Sequence, residues 1–519
     1  MYKKIIISIS VFIFSMITVF SQNHIEALRY SQQFYSSTAK SDAMGNALST
    51  VGADFSALMI NPAGIAIFKS NQIAFTPNFI VSNTEGIFSE TVLNDGRIGF
   101  NLSNAGYVSV IKTKGIVKSM NFGIAYNSFN DFRTRTYVSS ENQGGSILDF
   151  MIYNENNNRG SEFREDLAWN AWLYNEDQST GEYWSFVTDD GTYGLTQSKQ
   201  IKTNGGAGEF SFTMGANIND MLYLGGTIGF TSINYKYEST YTETNFPIIK
   251  AEIEGSPGDS ISVNPNRIEF DETLYTEGSG LNAKFGMIFQ PLKILRIGAS
   301  VHTSTLYDFR DEYYTSMYVR YPVADADGNF EYTPSSEKNV FEWVLKTPFK
   351  ANAGVALILD SYKVGKFFTV PMILSLDYEY VDYASNQLRS SYYDDYSYDF
   401  TSENNNINAM FKETHNIRAG AEFNFGFMKV RGGYAIYSSP YVVDAGFNNA
   451  KSIYSGGIGF ASEHSFVDFS YSFAPSTEVL NLYNATDIYP NDPIGGINEP
   501  NASLNNTKQF FKVTLGLRL

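Results

Sequence analysis

No cysteine occurs anywhere in the 519 residues. Its absence excludes disulfides, thiolate metal sites, cysteine nucleophiles and a lipidated N-terminal cysteine. Basic side chains are scarce as well. Lys and Arg total 37 against 54 Asp and Glu, a net charge of −17, so the chain lacks the basic face that nucleic-acid binding needs. Charged residues of both signs make up 18%, below the roughly 25% of a soluble domain. The four histidines (His24, His302, His415, His464) are dispersed. There is no H-E-x-x-H and no G-x-S-x-G, and the run Gly205-Gly206-Ala207-Gly208 has no Lys-Ser/Thr after it to make a phosphate loop. No enzyme activity, metal ion or cofactor is expected, haem included, since nothing suggests axial ligands.

Long apolar runs are also missing, with one exception. Ile5 to Phe20 is apolar, follows the basic Lys3-Lys4 and leads to Ser21. That layout is a secretory signal peptide, 1–21, leaving a mature chain from Gln22. Beyond it no stretch of about 18 apolar residues exists to form a transmembrane helix. An exported chain of this kind is either soluble or an outer-membrane barrel.

What the chain does have is alternation and aromatic side chains, the latter at 16%. Leu281, Ala283, Phe285, Met287 and Phe289 alternate with Asn282, Lys284 and Gln290. Ile417, Ala419, Ala421, Phe423 and Phe425 alternate with Asn416, Arg418, Glu422 and Asn424. Val467, Phe469, Tyr471 and Phe473 do so with Asp468, Ser470 and Ser472, and the final Phe511 to Leu519 repeats the pattern. Period-2 alternation is a strand with one apolar face. About fourteen such segments, many of 10 residues or more, meet the length of a tilted membrane strand.

The links between them alternate in length. Asn219-Asp220, Gln290-Pro291-Leu292, Gly426-Phe427 and Glu463-His464 are tight, whereas 133–206, 243–261, 321–338, 390–408 and 475–507 are long and polar. Tight turns at one end and long loops at the other mark an outer-membrane barrel; a sandwich has no reason to sort its loops in this way. The expected fold is therefore all-β, a transmembrane antiparallel β-barrel of about 14 strands spanning 71–519 with its longest loop at about 133–206. Its expected surroundings are the lipid and lipopolysaccharide of the Gram-negative outer membrane. Within the loops, DADGNFE (Asp325 to Glu331) lacks the ligand spacing of a calcium loop and reads as an Asp-Gly turn. The acidic, aromatic SYYDDYSYDF (Ser391 to Phe400) reads as a solvated loop.

Register makes one sharper expectation. A two-residue type II′ turn at Gly426-Phe427 would oppose Asn424 to Lys429 and Glu422 to Arg431. The Glu422–Arg431 pair then faces the lumen, while Phe423, Phe425, Val430 and Tyr434 face lipid.

The segment 22–70 does not alternate. It carries Met44-Gly45, then Val51-Gly52-Ala53-Asp54-Phe55-Ser56-Ala57, then Asn61-Pro62-Ala63-Gly64. This run, placed between a signal peptide and a barrel, resembles the N-terminal hatch of the FadL/TodX family of outer-membrane transporters of long-chain fatty acids and other hydrophobic compounds. YLGGTIGF (Tyr223 to Phe230), the RIGAS core within Leu295 to Tyr307, and RGGYAIYSSP (Arg431 to Pro440) resemble its strands more loosely. The resemblance implies a hatch inside the lumen, gating by Asn61, Pro62, Ala63 and Gly64, and packing of Phe55, Leu58, Met59 and Ile60 beneath a hydrophobic pocket. It also implies a hydrophobic small-molecule ligand and lateral release through a wall gap at a kink in an early strand, for which Gly123 and Asn127 to Asp131 are the candidates. A branch of the same family acts as protein-secretion or surface-attachment partners. A secreted-protein partner is therefore the alternative, and an open polar lumen would favour it over the transporter reading.

Overall fold

The computed structural model describes residues 24–35, 37–142, 145–189, 194–247, 250–252, 260–262, 264–325, 327–360, 363–364, 367–368, 370–391, 398–442, 450–483 and 499–519. The expected signal peptide lies outside them, as does most of the acidic run after Ser391.

Fourteen antiparallel strands close into a barrel. They are β1 (Gln72–Phe88), β2 (Thr91–Lys112), β3 (Val117–Asp131, continued as Thr134–Asn142), β4 (Leu195–Ile218), β5 (Leu222–Thr244) and β6 (Arg267–Leu292). There follow β7 (Leu295–His302, continued as Leu306–Arg320), β8 (Asn339–Lys346, continued as Lys350–Leu359) and β9 (Met372–Asp382, continued as Gln387–Ser390). The set ends with β10 (Glu413–Asn424), β11 (Met428–Tyr437), β12 (Lys451–Ala461), β13 (Ser465–Asn481) and β14 (Asn501–Arg518). β14 pairs back onto β1 from Gln72↔Arg518 to Ile87↔Ser503, so no edge is left for lipid to meet.

Burial is inverted relative to a soluble domain. Along β6, Leu281, Phe285, Met287 and Phe289 are exposed while Asn282 and Lys284 are buried. Along β14, Phe511, Leu515 and Leu517 are exposed, and Lys512 and Thr514 are buried. The exposed apolar band meets hydrocarbon and the buried polar face lines the lumen.

The tight turns gather at one end, periplasmic in barrels of this class. At one of them Asn219 and Asp220 both take φ of 56°, the left-handed region that Asn and Asp tolerate best. At another, Gly426 takes φ of +85° as the first central residue of its hairpin. At the far end the strands run on past the membrane. The segment expected as a loop over 133–206 begins and ends as strand, with β3 continuing to Asn142 and β4 starting at Leu195. Polar strands such as TRTYVSSEN and LTQSKQ have no apolar face to display, because no lipid surrounds them there. Helices α4 (Ile147–Asn156), α5 (Glu165–Asn170) and α6 (Phe186–Asp189) cap this end. They pack Ile147, Leu148, Met151 and Leu167 against Phe88, Tyr241, Ile268 and Val319 of the wall. An Asp-Gly turn stands at Asp327-Gly328: Asp325 accepts from the backbone N–H of Asp327 and Asn329, and Gly328 takes φ of +86°.

Candidate functional site: the lumen, its hatch and a seam in the wall

Residues 24–35 and 37–70 fill the barrel. α1 (His24–Ser31), α2 (Ala39–Ala43) and α3 (Ala57–Ile60) are short, and a 3-10 turn spans Pro62–Ile67. Asn61 joins the last two. Its backbone is extended (φ −144°, ψ 103°), as the following proline requires. Its Oδ1 accepts from the Ala63 N–H at 3.1 Å, capping the turn, and its Nδ2 donates to the Ser49 carbonyl at 2.8 Å and to the wall at the Met287 carbonyl, 3.4 Å away. Pro62 occupies the first turn, where its missing N–H costs nothing.

The wall receives the hatch by leaving side chains out. A Cβ on Gly225 would lie 2.3 Å from the Pro62 carbonyl oxygen, and one on Gly433 2.0 Å from the Gly45 nitrogen. These glycines belong to the YLGG and RGGY segments, so the resemblance of those strands has a packing cause. Polar side chains then tie the hatch down. Asp377 accepts from Ser49 N–H and Oγ at 2.8 and 2.6 Å, Lys512 Nζ meets Asp42 at 2.8 Å, and Asn121 donates to the Ile65 carbonyl at 2.7 Å. Ser300 Oγ and His302 Nε2 both lie 2.9 Å from the Ile60 carbonyl at the end of α3. In the sequence His302 and Lys512 fall on the polar faces of their strands, but nothing there marks any of these residues as an anchor. The available signal was a charged or amide side chain on the polar face of an apolar strand, which by itself does not say what it grips.

Glu422 and Arg431 are opposed across β10 and β11, both buried, with Arg431 Nε 2.7 Å from Glu422. Arg431 Nη1 also reaches Asp468 on β13 at 2.5 Å, making a buried triad. Lumenal charge continues around the wall in the Lys284–Glu209 pair and in Arg418–Glu379 at 3.2 Å.

The four apolar hatch residues do not act as one floor. Phe55 and Leu58 pack with Ile65 and Phe68 against Ala74, Val108 and Ala125 of β1 to β3. Met59 and Ile60 turn the other way, into a cluster halfway up the lumen. The reason is helical geometry, which points neighbouring residues of α3 to different sides. That upper cluster is aromatic: Phe309 stacks on Trp343 at 4.5 Å, and Tyr235 meets Phe132 edge-on at 5.5 Å. The chain's own α1 sits within it. Tyr30 packs 4.8 Å from Phe309, with Ala27 and Leu28 buried beside it.

The wall is not equally continuous all round. β2 pairs with β1 along the whole of Thr91 to Val108, but its other edge pairs with β3 only from Asn104↔Asn127 to Lys112↔Ser119. β3 then bulges between Ser128 and Asn130 where it pairs with β4. The parting falls in the 127–131 stretch. Gly123 lies within regular pairing, opposite Val108, and its vacant side makes room for Ile65 and Leu58 of the hatch. Beyond Asn104, side chains span the seam. Asp95 pairs with Arg135 at 3.0 Å, Arg97 Nη1 donates to the Thr203 carbonyl at 3.0 Å, and the Arg133 side chain lies against Gly99. Phe129 and Phe132 of the aromatic cluster stand just inside, and Phe79, Ile98 and Phe100 project outside.

An outer-membrane β-barrel with an internal hatch is the class this arrangement defines. No protein-family model and no curated protein matches the chain. Among solved structures, a Pseudomonas aeruginosa FadL homologue is 11% identical, with 94% of this chain and 100% of that chain covered and a TM-score of 0.51. The Ralstonia pickettii toluene transporter TbuX is 13% identical, covering 94% and 99% with a TM-score of 0.49. The Pseudomonas putida toluene transporter TodX is 11% identical, covering 94% and 99%, also at 0.49. The likeness to the first establishes the fold, which is FadL-like.

Proposed function

We propose that the protein takes up small hydrophobic molecules, long-chain fatty acids or compounds like them, and releases them sideways into the membrane. The observation that carries this reading is the seam. An aromatic lumen reaches the wall at Phe129 and Phe132, at the place where β2 and β3 share no backbone hydrogen bonds and where the outer surface is apolar. A greasy ligand gains nothing from crossing a water-filled channel. It keeps roughly 25 cal/mol per Å² of apolar surface out of water by passing directly from the aromatic cluster to hydrocarbon. Opening the seam breaks side-chain contacts, not a strand ladder. The hatch fills the lumen and an aromatic cluster stands inside the seam, which favours this reading over a secreted-protein partner held by an open polar lumen.

A chain without cysteine makes the test clean. Gly99→Cys with Arg133→Cys, joined by a short reducible bis-thiol linker, staples the seam. Uptake of a radiolabelled long-chain fatty acid into cells should fall at least tenfold and return on reduction. Unchanged uptake in the stapled protein would defeat lateral release at this place.

A further inference from the structure

Beneath the hatch, at the tight-turn end, lies a cavity of about 430 Å³. Its roof is hatch backbone and side chain from Thr38, Lys40 and Val51 to Phe55, and its rim is formed by the first and last strands at Gln72 and Arg518. Six cationic side chains line it: Lys40, Lys69, Arg296, Lys429, Arg431 and Arg518. Three acids oppose them, and none is spare. Asp54 accepts from Thr38 Oγ1 and the Ser56 N–H. Glu422 and Asp468 both clamp Arg431. Lys429 has only a second, 3.8 Å approach to Glu422, and neither Lys40 nor Lys69 forms an ion pair among the described residues. A chain of net charge −17 thus concentrates excess positive charge in one concave, partly enclosed space, where low-dielectric walls focus the field. The remaining lining mixes the apolar Val51, Phe55, Phe68, Ile358, Ile373 and Phe466 with the polar Thr38, Ser70, Gln72 and Thr514.

We infer that this vestibule binds the oxyanion head of an acyl-chain amphiphile, carboxylate or phosphate, on the periplasmic face of the hatch. The cations take the head, Lys40 and Lys429 foremost because both are half-buried and incompletely paired. The apolar wall takes the first carbons of the tail. The inference is independent of lateral release, since it concerns the far side of the hatch and is read as binding, not as uptake.

The four tryptophans stand at 169, 172, 184 and 343, in the cap and the upper lumen, so Phe466→Trp places a reporter in the vestibule. In the purified full-length protein, the signal gained over wild type should be quenched by brominated octanoate and by brominated octyl phosphate, which separate the two head groups. Brominated octanol should quench at least tenfold less effectively, and inorganic phosphate should not displace octanoate at equal concentration. Adding Lys40→Gln and Lys429→Gln should weaken octanoate at least tenfold, and Lys40→Arg with Lys429→Arg should restore it, which separates lost charge from lost folding. Equal quenching by octanol and octanoate, or octanoate binding unaffected by the double Gln change, would overturn the proposal. So would failure of the Arg pair to restore binding. The seam-stapled protein should bind as the unstapled one does, so a failure of lateral release leaves this result standing.

Discussion

The ladder between β5 and β6 runs without a break from Thr244↔Arg267 to Leu222↔Phe289, while that between β2 and β3 stops at Asn104↔Asn127. Both strand pairs are long and both face lipid with apolar side chains. The difference is in what joins them. Along β5 and β6 the backbone satisfies itself, and separating the strands would leave polar groups bare in hydrocarbon, at several kcal/mol each. Along the upper half of β2 the joining groups are Asp95, Arg97, Arg133 and Arg135, whose contacts can exchange for water or headgroup without unpairing a strand. On the proposed lateral release, the barrel stays closed and yet opens in one place by having side-chain bonds there instead of backbone ones.

The contrast breaks most visibly at the hatch, which closes both halves. Deleting Gln22 to Gly64 should leave a heat-modifiable, folded barrel whose single-channel conductance in planar bilayers rises on the order of tenfold, because a lumen of this strand number is wide once unplugged. Uptake should lose its dependence on the seam. Conductance and uptake both at wild-type values would sink the hatch model and favour a protein-partner role.

Next come the two kinds of ion pair. Arg431→Met strands Glu422 and Asp468 in the lumen without their cation, a loss of about 3–5 kcal/mol when a buried pair is broken. Arg135→Ala at the seam removes a half-exposed partner of Asp95 and should cost below about 1 kcal/mol. Urea unfolding in lipid vesicles measures both. A seam variant as damaging as the triad variant would mean that the seam is a structural joint.

Asn61→Ala removes a cap and a wall contact together. The expected loss is about 1 kcal/mol, seen as more frequent open events in bilayer recordings with folding intact. The smallest effect belongs to the cap loop. Tyr332, with the N–H groups of Asn329 and Asp327, holds the Asp325 carboxyl down to about 2. A depressed carboxyl stabilises above its unfolded value and loses that contribution as pH falls toward 2. The loop should therefore keep its order through pH 4, with an NMR titration midpoint for Asp325 near 2. A midpoint near 4 would show the turn to be unformed.

Alternation alone placed the strands, and loop length sorted by parity told a barrel from a sandwich, because side chains on a strand must choose between lipid and lumen at every second residue. The opposition of Glu422 to Arg431 followed from the Gly426 turn, since a tight hairpin leaves one register. Those are local or periodic properties, and a single sequence carries them. The third member of that triad, Asp468, did not follow, because β13 lies two strands away and Arg431 reaches it only across Gly459 of the intervening β12. The polar extensions of β3 and β4 were equally unreadable, since outside the membrane nothing forces alternation. Within the hatch, Asn61-Pro62 announced its own bend through the proline. Whether Met59 and Ile60 line a floor or enter an aromatic cluster already occupied by Tyr30 depended on how α3 sits against a curved wall. The resemblance pointed to 127–131 for the parting of the wall, but the side chains that span the seam, and the charged vestibule, depended on the tertiary structure, because each joins residues of different strands that only the folded wall sets side by side.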